Sequence, residues 1–165
     1  MKLTSMLLAS IPTLTAPANA QETLIDLTQP RAVVQAMQDA GYKAALKKDE
    51  KGEPYIESAA NGSNFTIQFY GCKNATDCPS LQFYSWYKKE PWYTVELANR
   101  WNIAKRFIKA MIDKDGDLAT TFDVTTAGKT TVANFADAID WWSVMSGELF
   151  DFLDKADPTK KADGK

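Results

Sequence analysis

Two segments in the first two thirds of the chain carry apolar residues at helical spacing. Thr28 precedes the first segment, Pro30 lies in its opening turn and Gly41 follows its last apolar residue, which predicts a short amphipathic helix capped by Thr28. Thr94 precedes the second segment and is predicted to cap a helix that turns Trp101 towards the core.

The clearest helical pattern lies near the carboxyl end, from about Thr130 to Leu153. Its apolar side consists of Phe135, Ile139, Trp142, Met145, Leu149 and Phe152. Adjacent helical side chains diverge by about 100°, so Trp141 cannot point into the same core as Trp142. Trp141 is then either exposed or buried against a partner. A homodimer interface along this helix is one hypothesis, and partial cover by loops of its own chain is the alternative.

Alternation of apolar and polar residues predicts a four-stranded antiparallel meander before the second helix. The predicted strands are 42–47, 54–59, 65–70 and 81–87. Asn61-Gly62 has the residues of a tight hairpin turn. The last strand carries aromatic residues on both sides, which is typical of a strand that is central or covered.

Residues 106–112 fit either a continuation of the second helix or a strand. The turn-forming residues 113–116, followed by the apolar segment 118–124, favour a hairpin of two strands. The order is then helix, four-stranded meander, helix, hairpin and long helix. It predicts an α+β fold in which an antiparallel sheet is covered by two or three helices.

The first twenty residues have the features of a cleaved secretory signal. Lys2 precedes an apolar run, 3–14, that is too short to span a bilayer, and Ala18-Asn19-Ala20 places small residues at the cleavage positions. We predict a mature chain that begins at Gln21, is periplasmic or secreted, and has no membrane attachment after cleavage.

The composition is that of one globular domain, with 45% hydrophobic residues among 165. We expect a single domain over 21–153 and a disordered polar tail over 154–165. The formal net charge of −2 becomes −3 once Lys2 is removed, which gives no electrostatic basis for binding nucleic acid or an anionic membrane. The expected partners are therefore proteins, peptides or small molecules.

The chain contains no histidine. This absence excludes Ser-His-Asp and Cys-His mechanisms and removes the commonest metal ligand. We predict that the protein is not an enzyme and holds no cofactor or metal. The runner-up is a hydrolase that uses carboxylates alone, with Asp123 and either Asp137 or Asp140 as its acid and base.

Cys72 and Cys78 are the only cysteines, with five residues between them. An even count in an exported chain predicts a disulfide between them, and two thiolates without histidine are too few ligands for a zinc site. Closing so short a loop stabilises a fold by about 2 kcal/mol. We expect the bridge to fix a local loop rather than to hold the whole domain together.

Several residue clusters follow the predicted elements: Leu81-Gln82-Phe83-Tyr84, Asn99-Arg100-Trp101-Asn102, Arg106-Phe107, the Asp113–Asp117 turn and Phe135. This pattern of an aromatic strand, an asparagine-rich helix and an acidic turn resembles the YbjN-domain family of bacterial sensory transduction regulators over most of 24–153. The cysteine loop and the signal resemble its exported branch. The resemblance implies a fold similar to that of type III secretion chaperones, small α+β proteins that bind other proteins. It implies no catalytic residue and no substrate.

Asp113, Asp115 and Asp117 are spaced like the first ligands of a calcium loop. The EF-hand loop, however, has glycine after the third ligand and glutamate at the twelfth position, whereas here Gly116 precedes Asp117 and the twelfth position is Val124. The pattern favours a hairpin turn, with a weak cation site as the alternative.

Aromatic residues are dense between Trp86 and Trp101, and exposed aromatic rings form platforms for peptides or sugars. Strand alternation and helical spacing place part of this group in the core. The candidate binding surface is therefore Trp92 and Tyr93, together with Trp141 on the last helix. The functional prediction is a protein- or peptide-binding regulatory or chaperone-like module.

Overall fold

The structure, a computed structural model, describes residues 22–160. The predicted signal and cleavage site, and the end of the predicted tail, lie outside the described residues. Within these residues there are three helices: α1 (Pro30–Asp39), α2 (Val95–Ala104) and α3 (Val132–Ala156). Among residues 22–160 no helix is both long and apolar enough to cross a membrane.

Eight strands accompany these helices. They are β1 (Leu24–Ile25), β2 (Ala44–Lys48), β3 (Pro54–Ala60), β4 (Ser63–Tyr70), β5 (Ser80–Tyr87), β6 (Lys109–Ile112), β7 (Leu118–Thr125) and β8 (Thr130–Thr131). Six of them form one antiparallel sheet in the order β2-β3-β4-β5-β7-β6. The predicted α+β class, meander and hairpin are confirmed. Strands β1 and β8 form a separate pair of two residues each, too short to leave an alternating pattern in the sequence.

One hydrophobic core lies between the helices and one face of the large sheet, and all three helices contribute to it. Trp142 of α3 is at its centre, with its ring centroid 5.5 Å from those of both Phe65 and Phe83. Residues that alternate with these point to the other face, where Glu57 and Asp123 are exposed and Trp86 is 57% exposed. Strand β5 is central, as predicted, but its outward aromatic residues are not fully covered.

The capping prediction is right for α2 and wrong for α1. The Thr94 hydroxyl accepts a hydrogen bond from the Leu97 N–H at 3.1 Å, whereas α1 has Gln29 at its N-cap, without a side-chain cap. Thr28 lies one residue before the N-cap, where its hydroxyl donates to the Asp26 carboxylate at 2.6 Å and accepts from the Gln29 side-chain amide at 3.1 Å. Gly41 follows α1 as predicted, with φ +87°, a conformation that favours glycine.

Helix α3 begins at Val132, and the Thr131 hydroxyl caps it by accepting from the Asn134 N–H at 3.0 Å. The helix ends at Ala156, three residues beyond the predicted end. The Lys160 ammonium group lies 2.6 Å from the Asp154 carboxylate, so the polar segment after the apolar stripe folds back on the helix end.

A disulfide joins Cys72 and Cys78 in the loop between β4 and β5. Cys78 is fully buried, its N–H donates to the Thr28 carbonyl at 3.0 Å, and its carbonyl accepts from the buried Thr126 hydroxyl at 2.6 Å. The loop is therefore fastened both to the entry of α1 and to the end of β7.

Candidate binding cleft

A cleft of about 770 Å³ lies between the β5–α2 connection and the carboxyl end of α3. Its aromatic lining consists of Tyr87, Trp92, Tyr93 and Phe150. Two of the three predicted surface residues thus line one concave site. Binding sites for small molecules and side chains commonly have volumes in this range.

Local chain geometry holds Trp92 and Tyr93 at the cleft. The Tyr93 N–H donates to the Glu90 carbonyl at 3.0 Å, which closes a turn around Pro91 just before α2 begins. The two rings meet edge to face, with centroids 4.5 Å apart and planes at 73°. Both side chains are half-buried, so each ring is supported by the fold while part of its surface remains open.

The opposite wall comes from α3 and the residues that follow it. Phe150 packs edge to face against Tyr87, with centroids 5.7 Å apart, and the buried Leu153 lies one turn further along the helix. Pro158 and Thr159 complete this wall. The cleft is therefore assembled from two segments about sixty residues apart in the sequence, 87–93 and 150–159.

Three carboxylates line the same cleft: Glu90, Asp154 and Asp157. Hydrogen bonds from the Thr159 hydroxyl and N–H lower the pKa of Asp157, which keeps it charged at neutral pH. Burial raises the pKa of Tyr93, and the negative charges of Glu90 and Asp157 add to that rise. Tyr93 is thus neutral at neutral pH and lies in a negative electrostatic environment.

The third predicted surface residue, Trp141, does not line the cleft. It lies nine residues before Phe150 on α3, about 14 Å along the helix axis. Its ring stacks on Phe107 at a centroid distance of 4.5 Å, so a loop of its own chain covers it in part. Trp142 is 1% exposed, and the two neighbouring tryptophans do point in different directions.

Phe107 has a φ of +66°, an unusual backbone conformation for a bulky residue. Its ring stacks on Trp141 and packs edge to face near Phe122, with centroids 6.0 Å apart. Val144 is exposed one turn after Trp141 on α3. The surface formed by Phe107, which follows α2, together with Trp141 and Val144 is named the α2–α3 patch below.

The acidic turn uses its carboxylates within the fold. The Asp113 carboxylate accepts hydrogen bonds from the N–H groups of Asp115 and Asp117, both at 2.9 Å, and Gly116 has φ +84°. The Asp117 carboxylate accepts from the Lys89 N–H at 2.9 Å. Within residues 22–160 no group of three or more potential ligands is placed to hold a metal ion. This geometry is that of a hairpin turn tied to the end of β5.

The carboxylates considered for hydrolysis lie on opposite faces of the sheet. Asp123 is on the outward face of β7, 3.6 Å from the Lys109 ammonium group and 2.6 Å from the Gln82 amide. Asp140 is on α3, across the core, and accepts from the Tyr42 hydroxyl at 3.3 Å. Asp137 lies on the same helix. The structure does not bring these side chains together as an acid–base pair.

Asn99 and Asn102 have different surroundings. The sequence leaves open whether they bind strand loops or face water. Asn102 exchanges two hydrogen bonds with the backbone of Ala110 on β6, whereas Asn99 is exposed. Trp101, fully buried, donates its indole N–H to the Ile108 carbonyl at 2.9 Å. These residues attach α2 to the edge of the sheet.

Sequence reasoning missed half of the cleft. Tyr87 is read as part of a strand and Phe150 as part of a helix, while Glu90 and Asp157 carry no motif. No local sequence pattern marks these residues as one site, because only the packing of α3 beside the β5–α2 connection brings them together.

The fold and the cleft define a class: an α+β domain with helices on one sheet face and an aromatic, acidic cleft at one end of its longest helix. The YbjN family model, described as "Putative bacterial sensory transduction regulator", matches residues 29–155. The chain belongs to the YbjN family. No curated protein and no solved structure gives a significant match.

Proposed function

We propose that this YbjN-family protein is a non-catalytic regulator in the periplasm or secreted space that binds a peptide segment of a partner protein. The bound segment occupies the cleft formed by Trp92, Tyr93 and Phe150. The observation that carries this proposal is the cleft itself: a concave site with partly exposed aromatic rings on one side and the end of α3 on the other.

The chemistry of the cleft favours recognition of a peptide. Tryptophan and tyrosine are the residues that most often dominate protein–protein binding energy, because a large rigid ring loses little entropy on contact. Trp92 and Tyr93 are already held by the turn at Glu90 and by each other, so little ordering is required on binding. Regulation by binding also agrees with the family description.

The extracytoplasmic location is proposed from two features. Residues 1–20 have the pattern of a cleaved signal, and the chain contains a Cys72–Cys78 disulfide, a bond that persists in oxidising compartments. The absence of histidine and the separation of Asp123 from Asp140 support a binding role rather than hydrolysis.

The α2–α3 patch is proposed as a second contact surface, for self-association. Val144 is 53% exposed and Phe107 is 39% exposed, and Val144 lies one helical turn from Trp141, whose ring stacks on Phe107. Exposed apolar side chains that cluster in this way are typical of interfaces.

A site-specific photocrosslinking experiment tests the peptide-binding proposal. The photoreactive amino acid benzoylphenylalanine is introduced at position 92 of the full chain, and at position 86 as a control. The experiment is carried out in the cells in which the protein naturally occurs. Trp86 is an exposed tryptophan on the outward sheet face and does not line the cleft. We expect a crosslinked partner at position 92 and none of the same mass at position 86.

The crosslinked partner is then identified, purified and titrated against variants by calorimetry. Trp92→Ala should weaken its binding by about tenfold or more, and Trp86→Ala should leave it unchanged. The proposal is overturned if the partner binds Trp92→Ala and the unchanged protein equally well, or if position 92 yields no crosslink while the protein remains folded.

A further inference from the structure

The charge distribution around the cleft is one-sided. Glu90, Asp154 and Asp157 line it, and no Lys or Arg is among its lining residues within the described part of the chain. Asp154 is paired with Lys160 at 2.6 Å. Glu90 and Asp157 form no ion pair within residues 22–160. Two carboxylates at the cleft are therefore without a paired cation in this part of the chain.

Two lysines near the cleft have partners among other groups of the fold. Lys89 follows the cleft-lining strand, but its N–H binds Asp117 and its ammonium group lies 3.5 Å from the Asp115 carbonyl, at the hairpin turn. Lys160 is occupied by Asp154, and its charge also lowers the pKa of Asp157. The remaining excess of negative charge is open to a ligand.

The aromatic rings select the same sign of charge. A ring presents a negative face, so an ammonium or guanidinium group placed over Trp or Tyr is attracted to it, and the attraction grows with desolvation. Glu90 and Asp157 line the cleft together with Tyr93, and their negative charges add to the rise that burial causes in the pKa of Tyr93. The carboxylates and the aromatic rings therefore both favour a positively charged group in the same cleft.

Resting on the proposed peptide-binding function, we infer that the cleft is a specificity pocket for a cationic side chain, a Lys or Arg of the bound peptide. Its aliphatic stem packs between Trp92 and Phe150, and its charged end lies near Glu90 and Asp157. The negative charge of the cleft is complementary to the positive charge of such a side chain, which favours Lys or Arg over other residues. An acidic or neutral side chain would leave both carboxylates desolvated without compensation.

Four capped pentapeptides test the inference: acetyl-Gly-Gly-Xaa-Gly-Gly-amide with Xaa as arginine, lysine, citrulline or norleucine. Citrulline keeps the shape of arginine without its charge. Binding is followed by NMR through the Trp92 indole N–H and the Tyr93 amide of the full chain. We expect the arginine peptide to bind about tenfold more tightly than the citrulline peptide, with the difference falling as salt is raised.

Two variants complete the test. Glu90→Gln combined with Asp157→Asn should remove most of the preference for arginine over citrulline, while Trp86→Ala should preserve it. Equal affinity for the arginine and citrulline peptides would overturn the inference and leave the peptide cleft standing. If none of the peptides shifts the Trp92 signal, the inference fails; if the position-92 crosslink is also absent, the proposed function fails with it.

Discussion

The Asn102 side-chain amide pairs with the backbone of Ala110 in both directions: its NH₂ donates to the Ala110 carbonyl and its oxygen accepts from the Ala110 N–H, each at 2.9 Å. Ala110 lies on β6, an edge strand of the large sheet. The amide thus takes the place of a further strand, and it shields edge groups that could otherwise pair with another chain.

Asn102→Ala should destabilise the protein by about 2 kcal/mol, because it leaves a partly buried N–H and carbonyl unpaired. Asn99→Ala is the matched control: Asn99 is exposed on the same helix, and its replacement should change stability by less than about 0.5 kcal/mol. Urea unfolding of both variants measures the difference. Equal stabilities would show that water replaces the Asn102 bonds at no cost.

Trp142→Ala should cost about 3 to 5 kcal/mol, since it empties the centre of the core between Phe65 and Phe83. Trp141→Ala should cost about 1 kcal/mol in the monomer, because the side chain is only half-buried against Phe107. Unfolding curves of the two single variants provide the comparison.

Sedimentation of the same two variants tests the α2–α3 patch. If the patch mediates self-association, Trp141→Ala should reduce it at protein concentrations at which the unchanged protein assembles. A protein that remains monomeric at all accessible concentrations would contradict the proposal for this surface and leave the stability prediction untouched.

Replacing both Cys72 and Cys78 with Ser should lower the free energy of unfolding by about 2 kcal/mol and leave a folded domain. Reduction of the unchanged protein should have a similar effect, because it removes the same loop constraint. Calorimetry gives the melting temperatures and circular dichroism verifies the fold. Two titratable thiols in freshly isolated protein would mean that the bridge is not the natural state.

Asp26 should contribute stability that depends on pH. Hydrogen bonds from the Thr28 hydroxyl and then its N–H lower the pKa of Asp26 below its ordinary value of 3.8. Because the folded-state pKa is lowered, the stabilisation is complete above the unfolded-state value and is lost as the pH falls through the folded-state value.

Asp26→Asn should therefore be less stable than the unchanged protein at pH 7, and the gap should narrow as the pH falls from about 4 towards 2. Thr28→Val removes the hydroxyl and should raise the pKa of Asp26, which carbon NMR of the carboxyl group can follow. If Asp26→Asn differs in stability from the unchanged protein by the same amount at pH 7 and pH 2, the effect does not come from the charge of the Asp26 carboxylate.

The exported protein should begin at Gln21, since Ala18-Asn19-Ala20 follows the apolar run directly. Intact mass spectrometry of protein recovered from the periplasm or medium measures this. Recovery of a periplasmic product that still includes residues 1–20 would contradict the predicted cleavage.

Local patterns in the sequence predict the elements of the fold well. The alternation in Phe65, Ile67 and Phe69 and the helical stripe of α3 both arise because one side of each element faces the core. Thr94 identifies the start of α2 through its own hydroxyl. Each of these signals is contained within a few neighbouring residues.

What the sequence does not predict depends on distant residues. The position of β7 between β5 and β6, the pairing of β1 with β8 and the approach of Phe150 to Tyr87 all join separate segments. Thr28 misleads for a different reason: the helix begins one residue later than the capping rule predicts, and the Thr28 hydroxyl and N–H both donate to the Asp26 carboxylate.

The place of β7 beside β5 affects the order in which the large sheet can form. Strands β2 to β5 can each pair with a strand that is next to them in the sequence. The second edge of β5 pairs with β7, where Tyr87 lies opposite Leu118, so this pairing requires a segment about thirty residues further along the chain. Until the β6–β7 hairpin arrives, an aromatic-rich strand remains an open edge at risk of joining another chain. The rate at which the β6–β7 hairpin adds to β5, rather than formation of the meander, should set how quickly a newly synthesised chain escapes aggregation.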